Sequence, residues 1–561
     1  MFKKTKNEQQ LNLFSNAYGL LSKKALVIYN DENSWHNQFR MNTLSKIDEE
    51  PFRPLFCQVN GAPNASIRLS IGMMIIKEAH GLSDSQLFER CQFDIVYRSA
   101  LGIFNFDAPI PAASTYYLLR QRIVEWEKAG NENLIEKVFS QVTHDQIIQF
   151  KINGKKVRID SKLLGSNIAW LSRYELIHET VRLVLREIKD DIDKVLSDSD
   201  KLELQEIFEE TASTVSYYST TEELKDKIIK LGPVIYRILK YYKDSSISSI
   251  ETLRNVFEEN YEVIDEIVNP LSKEALKSDR IESPHDTDSR FRKKGTTQAK
   301  GFSVNIIETC DKDNPLDLIT STIVAPANVS DCYFFQEAIE ATQETTNQKV
   351  ETANVDGGYY SKDNVKYCNE NEIDFILSDF PAPASRYDIH YFDGEKLELI
   401  DTQTNVIIPT NKTQSRKTTS EPSWSYIDAE GKKRSITKHQ VETRLLRQAV
   451  RERPKEDKIV RNNVEASIFQ LGYHYRSNKS RYRGLIKHKI WASVRCLWVN
   501  FRRIMKYLIG LAPKDPSPAL NSKINAGIES FNKDNLIFDY IFICLISFFA
   551  IFTCNLVENR L

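Results

Sequence analysis

The chain is sparing in the residues that mark several common chemistries. Only eight cysteines occur, at 57, 91, 310, 332, 368, 496, 544 and 554. No two form a C-x-x-C pair, so neither a zinc-ligand spacing nor a disulfide framework can be read, and a reducing cytoplasm is the expected compartment. The nine histidines show no H-E-x-x-H spacing, and no G-x-x-x-x-G-K-[ST] loop is present, which argues against a zinc hydrolase and against ATP dependence. The first residues, Met1-Phe2-Lys3-Lys4, lack the apolar run of a secretory signal. Net charge is also nearly absent, at −1.

That balance conceals a strong asymmetry. Between Asn411 and Gly510 stand about 24 Lys and Arg against about 8 Asp and Glu, so this block is near +16 and the remainder near −17. A split of this kind marks a segment that binds a polyanion. With 41% apolar and 27% charged residues the chain otherwise has the composition of an ordinary globular protein. Its 561 residues exceed one compact core, which implies several domains. Tyr540 to Val557 is uncharged and rich in Ile and Phe, about the minimum length of a membrane span. A helix buried against protein fits it better, and no membrane partner is expected.

Taken in order, residues 1–60 read as an N-terminal arm and 61–150 as an all-helical domain. Ile67, Leu69, Ile71, Met74 and Ile75 fall at helical intervals, Gly81 ends the run, and Ser83 with Gln86 predicts a capping box for the next helix. Two helices joined at Gly81-Leu82-Ser83 form a helix-turn-helix-like pattern, suited to DNA binding or to a plain bundle. From 151 to 510 the pattern becomes mixed α/β. A strand is predicted at 156–160, with a turn at Gly165. An acidic helical insertion at 170–280 is predicted to contain helices Leu171–Leu196 and Ile247–Val268, and Pro233 to interrupt another. Ser283 to Gly295 reads as a polar loop whose Asp286-x-Asp288 pair is taken as solvated in preference to a metal site. Strands are expected at Gly301–Thr309, Leu316–Val324, near Val355 and at Ile373–Leu377, with helices between them. A β-rich insertion fills 380–440, and 511–561 form a hydrophobic tail.

Three acids stand out within this order. Asp160 lies near the end of the first strand, Asp356 follows Val355 and precedes two glycines, and Glu465 borders the apolar face of a later helix. Converging carboxylates hold Mg²⁺ or Mn²⁺, and two such ions can serve an in-line phosphodiester displacement. Downstream of Glu465, Arg476, Lys479, Arg481, Arg483 and Lys487 alternate with Tyr473, Tyr475, Tyr482 and Trp491, a mixture suited to phosphates and unpaired bases.

Asp160-Ser161-Lys162, Ser283-Pro-His-Asp-Thr-Asp-Ser-Arg-Phe291, Val324-Ala-Pro-Ala-Asn-Val-Ser-Asp331, Asp356-Gly-Gly-Tyr359 and Arg461-x3-Glu465 with Arg481-Tyr-Arg-Gly484 occur in one order. Together these motifs resemble the DDE transposases of bacterial insertion sequences, over most of residues 60–508. The resemblance implies an RNase H-like sheet carrying the two insertions, and two Mg²⁺ (or Mn²⁺) ions on Asp160, Asp356 and Glu465. It implies DNA contacts through Arg461, Arg476, Lys479, Arg481, Arg483 and Lys487. Cleavage and joining at terminal inverted repeats, action on target DNA, a homodimer and a bacterial cytoplasmic, nucleoid-associated location follow in the same way. Two positions depart from the family pattern: Lys458 stands where a tyrosine is usual, and Gly472 where a lysine is. A nuclease that cuts without joining, and a DNA-binding derivative without catalysis, remain the alternatives.

Overall fold

The computed structural model describes residues 1–5, 16–57, 61–380, 385–413, 422–454, 456 and 459–511, with backbone alone at Tyr18, Asn462 and Arg476. Met1–Met505 form one compact unit, and Lys506–Leu561 a second. The arm at 1–60 is thus described in part. Lys458 and the hydrophobic tail from 512 onward, Tyr540–Val557 included, lie outside the described residues. No described helix is long and apolar enough to cross a membrane.

The helical block opens with α1 (Ile67–His80), α2 (Asp84–Phe93), α3 (Ala113–Lys128) and α4 (Leu134–Phe150). Ser66 caps α1 by accepting from the Leu69 amide, and Gly81 closes it with φ +62°, a conformation that costs glycine little. The expected capping box between Ser83 and Gln86 starts α2. Helix α1 is buried nearly all round, through Ile67, Ile71, Met73, Met74, Ile75 and Ile76. Such a helix belongs at the centre of its layer rather than on a surface.

Strand β1 (Lys156–Gly165) opens the sheet and continues past the expected end at 160. The helical insertion follows, with its own core built on Ile177, Val181, Leu231, Ile235, Leu253 and Val256. Three details differ from expectation. Helix Arg173–Glu187 stops nine residues short of Leu196, at a segment held by a second short helix, Ile192–Val195. Helix Thr221–Tyr241 passes through Pro233 without ending, since its neighbours bury Leu231, Val234 and Ile235 on one face and tertiary packing outweighs the lost hydrogen bond. The last helix ends at Asn260, and β2 (Tyr261–Ile264) and β3 (Ile267–Pro270) form a hairpin across Asp265 and Glu266, both at positive φ.

The main sheet adds β4 (Arg290–Lys294), β5 (Thr297–Thr309), β6 (Ile319–Pro326), β7 (Thr352–Val355) and β8 (Asp374–Leu377). Its path is β4-β5-β1-β7-β8, with β6 also paired to β5. β5 pairs antiparallel with β1, β4 and β6, whereas β1–β7 and β7–β8 pair parallel. β4 replaces part of the expected polar loop: its residues pair with Thr297–Gly301 through a tight turn at Gly295.

Alternation along the strands divides the core in two. Leu164, Phe302, Val304, Ile306 and Val324 face α1, α4, α8 (Val464–Leu471) and α9 (Leu485–Leu511), so the helical block and this face of the sheet share one continuous core. Val157, Ile159, Ile307, Ala353 and Val355 face the other way, under Phe335 and Ile339 of α5 (Phe335–Thr346), Cys368 of α6 (Lys362–Glu370) and Val450 of α7 (Lys438–Glu452). The β-rich insertion between β8 and α7 contains two three-stranded sheets around Leu399, Trp424 and Ile436.

Candidate active site

Parallel pairing brings the first two acids together. β1 and β7 are in register at Lys156–Thr352, Val157–Ala353 and Arg158–Asn354. Extending that register by two residues sets Asp160, midway along β1, against Asp356, which follows the carboxyl end of β7, the end of a parallel strand where α/β sheets place ligands. Asp356 ends the strand by capping a single 3₁₀ turn, Gly357–Tyr359, through an Oδ1 bond of 2.8 Å from the Gly358 amide. The Gly358 position has little room: a Cβ there would stand 2.9 Å from Asp356 Oδ1 and 3.4 Å from Asp331 Oδ2.

Glu465 comes from α8, whose Val464 and Leu471 are buried while Glu465 projects outward, its side chain 66% exposed. Arg461 joins the three acids. Its Nη2 lies 2.8 Å from Asp160 Oδ2 and 3.7 Å from Asp356 Oδ2, and its Nη1 lies 3.9 Å from Glu465 Oε1. Burial raises the Asp160 carboxyl above its usual range, opposed by Arg461 and the Ser161 amide and aided by Asp356.

A buried ion network fixes this arrangement. Glu308 on β5 is fully buried and accepts from Arg158 Nε at 2.5 Å, Ser467 Oγ at 2.6 Å and Arg503 Nη2 at 2.7 Å. Burial alone would push its carboxyl up, but Arg503 and Arg158 hold it below the ordinary value. Ser467 belongs to α8, and Arg158 also reaches the Val460 carbonyl at 3.4 Å, just before Arg461. One carboxylate thus ties β1, β5, α8 and α9 together behind the acids.

The structure adds residues that the sequence pattern did not single out. Asp331, 1% exposed, binds Arg292 at 3.0 Å and Lys294 at 3.2 Å. Lys294 also lies 3.8 Å from Asp356 Oδ2 and 3.4 Å from Ser161 Oγ. Tyr359 is buried, donates to Asn305 Oδ1 at 2.7 Å, and has its hydroxyl pKa pushed far up by burial and by Asp331, Asp160 and Asp356. The Val-Ser-Asp331 end of a quoted motif was the available signal for Asp331. Nothing local marked Lys294, whose strand was read as a loop.

The basic residues after Glu465 are placed unevenly. Lys479 donates to the Ile168 carbonyl at 2.7 Å, Arg483 to Asn167 at 2.7 Å, and Arg481 to Leu82 and Gly81 at 2.8 and 2.7 Å. Lys487 is exposed beside a cleft of about 400 Å³ lined by Tyr116, Arg120, Tyr482 and Trp491. The Arg476 side chain lies outside the described residues. Tyr475 donates to Glu78 at 2.6 Å, Tyr482 also donates to Glu78, and Trp491 sits in the core. These three rings are spent on packing against α1, because the helix-turn-helix-like corner at Gly81 is covered by residues 474–482. Tyr473 alone among the four aromatics is exposed. Asp286 is buried rather than solvated, whereas Asp288 stays exposed as expected; they accept from the Gly484 and Leu485 amides, each at 2.9 Å, at the start of α9.

Lys162, two residues beyond Asp160, is half-buried, and burial lowers its pKa. Among the described residues it has no hydrogen-bond or ion-pair partner.

Comparison with known proteins adds one match. Residues 29–122, which span the second half of the arm and much of the helical block, match the family described as "Transposase domain (DUF772)". The match supports a transposase. No curated protein and no solved structure matches the chain.

The donor set fits a hard divalent cation in kind, being carboxylate oxygens from two strands and a helix. A cation already contacts all of them, namely the Arg461 guanidinium. Among the described residues no group of three or more His, Cys, Asp or Glu is placed to hold a metal ion in this arrangement.

Proposed function

We propose that this transposase is of the DDE type, cutting and joining DNA at the terminal inverted repeats of its element. The observation that carries the reading is the β1–β7 register, which juxtaposes Asp160 and Asp356, together with Arg461 contacting these two and Glu465. A sheet with β6, β5 and β1 antiparallel, then β7 and β8 parallel to β1, supports an RNase H-like fold.

In this reading Asp160, Asp356 and Glu465 hold Mg²⁺ or Mn²⁺, two ions in all. The ions supply activation of the attacking oxygen and stabilisation of the leaving one. The chain's part is positional. Glu308 and its arginines fix the strand and helix bearing the acids, Asp356 is aimed by the Gly358 amide, and Lys294 and Arg292 neutralise Asp331 beside them. Arg461 moves from the carboxylates to a phosphate when DNA and metal arrive. Lys479, Arg481, Arg483 and Lys487 line the DNA path, Arg476 is assigned to DNA by the resemblance alone, and the enzyme acts as a homodimer on its ends and target.

A second reading is a DNA-binding derivative without catalysis, favoured by the seating of Arg461 against all three acids. A strand-transfer assay with the element's own ends, with and without Mg²⁺, separates the readings. Joined product that depends on Mg²⁺ and is lost in Asp356→Asn supports the transposase. Joining that survives Asp356→Asn refutes the mechanism, cutting without joining identifies a nuclease, and binding alone identifies the derivative.

A further inference from the structure

We propose that Lys162 is a phosphate-contacting residue of this site, its ammonium reserved for the DNA phosphodiester brought to the acids. This rests on the DNA-cutting reading above.

Strand alternation points Arg158, Asp160 and Lys162 to the same face of β1. Arg158 is committed to Glu308 and Asp317, and Asp160 to Arg461. Lys162 comes next in the row and has neither an ion pair nor a hydrogen bond among the described residues. Among the described residues several nearby cations are engaged: Lys294 and Arg292 with Asp331, Lys479, Arg481 and Arg483 with backbone carbonyls.

Its side chain runs against Gly472, which closes α8, the helix that carries Glu465. A Cβ at 472 would stand 2.7 Å from Lys162 Cε and 3.0 Å from Nζ. Gly472 has φ −95° and ψ 6°, a conformation open to any residue. The backbone therefore does not demand glycine there, and the absence of a side chain at 472 leaves the end of Lys162 room to lie over the close of α8.

A half-buried ammonium without a counter-ion is costly, and an arriving anion offsets the cost. Between the strand of Asp160 and the helix of Glu465, that anion is the phosphodiester, whose approach to two or three carboxylates requires a cation of this kind. The competing account is structural, with Lys162 neutralising the carbonyl end of α8.

The test uses the full chain and a fluorescein-labelled DNA duplex of fixed length, with binding followed by anisotropy across a salt titration. Lys162→Met is expected to lower the slope of log affinity against log salt by about 0.9, one phosphate contact, and to slow Mg²⁺-dependent cleavage about a hundredfold. Its melting temperature is expected to equal or exceed the wild-type value, since an unpartnered charge has gone; the structural account requires it to fall. The double variant Lys162→Ala with Gly472→Lys is expected to regain the salt slope that Lys162→Ala loses, because the new side chain occupies the vacated space. An unchanged slope and cleavage rate in Lys162→Met overturns the proposal, as does a loss that appears only with a lower melting temperature. Failure of the wild-type chain itself to bind or cut DNA is a separate result and overturns the DNA-cutting reading beneath it.

Discussion

Replacing Glu308 by glutamine tests whether one buried carboxylate organises the candidate site from behind. Glu308 is the shared acceptor of Arg158, Arg503 and Ser467, with no exposure to solvent. The glutamine has nearly the same shape but carries no charge, so two buried or half-buried guanidinium groups lose their common counter-ion. Breaking one side of such a pair costs about 3–5 kcal/mol. Arg158 retains Asp317 at 3.1 Å, which places the expectation near the lower end, about 3 kcal/mol. With a urea dependence of about 3 kcal/mol per molar, the unfolding midpoint falls by about 1 M. Far-UV circular dichroism and tryptophan fluorescence should report the same shift if the unit unfolds together. Acid sensitivity provides a second reading of the same charge. The folded carboxyl lies below its ordinary value of 4.5, so the unfolded chain binds the extra proton first as pH falls. Glu308 therefore contributes fully above about pH 4.5 and progressively less below it, and Glu308→Gln removes that part of the pH dependence. A midpoint within about 0.2 M of wild type, where about 1 M is expected, or an unaltered acid slope, refutes the reasoning.

Other predictions follow from single contacts. Arg461→Ala frees Asp160, Asp356 and Glu465 of their shared cation, so added Mg²⁺ should raise its melting temperature more than that of wild type, while strand transfer falls; equal Mg²⁺ shifts would remove Arg461 from the site. Gly301→Ala sets a Cβ 2.2 Å from the Leu164 carbonyl and 2.6 Å from the Ser166 amide, both backbone, and should destabilise by about 3 kcal/mol or more, measured by urea unfolding. His488 is held neutral by burial, its pKa lowered to about 4: Nδ1 donates to the Gly484 carbonyl at 2.8 Å and Nε2 accepts from Ser480 at 2.7 Å. A lowered histidine binds its proton first in the unfolded chain, so stability should decline as pH falls from 6.5 toward 4, and His488→Gln should flatten the decline in a melting-temperature series. Arg481→Ala leaves the Gly81 and Leu82 carbonyls without their donor and should raise hydrogen exchange at the α1–α2 corner, whether or not DNA is present.

Short-range chemistry determined much of this protein directly from sequence. The Ser83–Gln86 capping box, the stop at Gly81, the α/β alternation after residue 290 and the order Asp160, Asp356, Glu465 were legible because each depends on residues a few positions apart or on pattern alone. Local signals failed where neighbours from elsewhere in the chain settled the outcome. Pro233 stays helical because its flanks are buried, Arg290–Lys294 becomes a strand because β5 offers it an edge, and Asp286 and Asp288 become caps because α9 begins against them. The basic and aromatic residues after Glu465 illustrate the same limit: sequence gives their charge and rings, but only packing against α1 turns Tyr475 and Tyr482 toward Glu78 and ties Arg481 to the Gly81 and Leu82 carbonyls. Only the tertiary structure sets Asp160 beside Asp356, seats Arg461 among the acids and lays Lys162 over Gly472. Those contacts join residues hundreds of positions apart, and their free energy depends on register and burial that no local window contains.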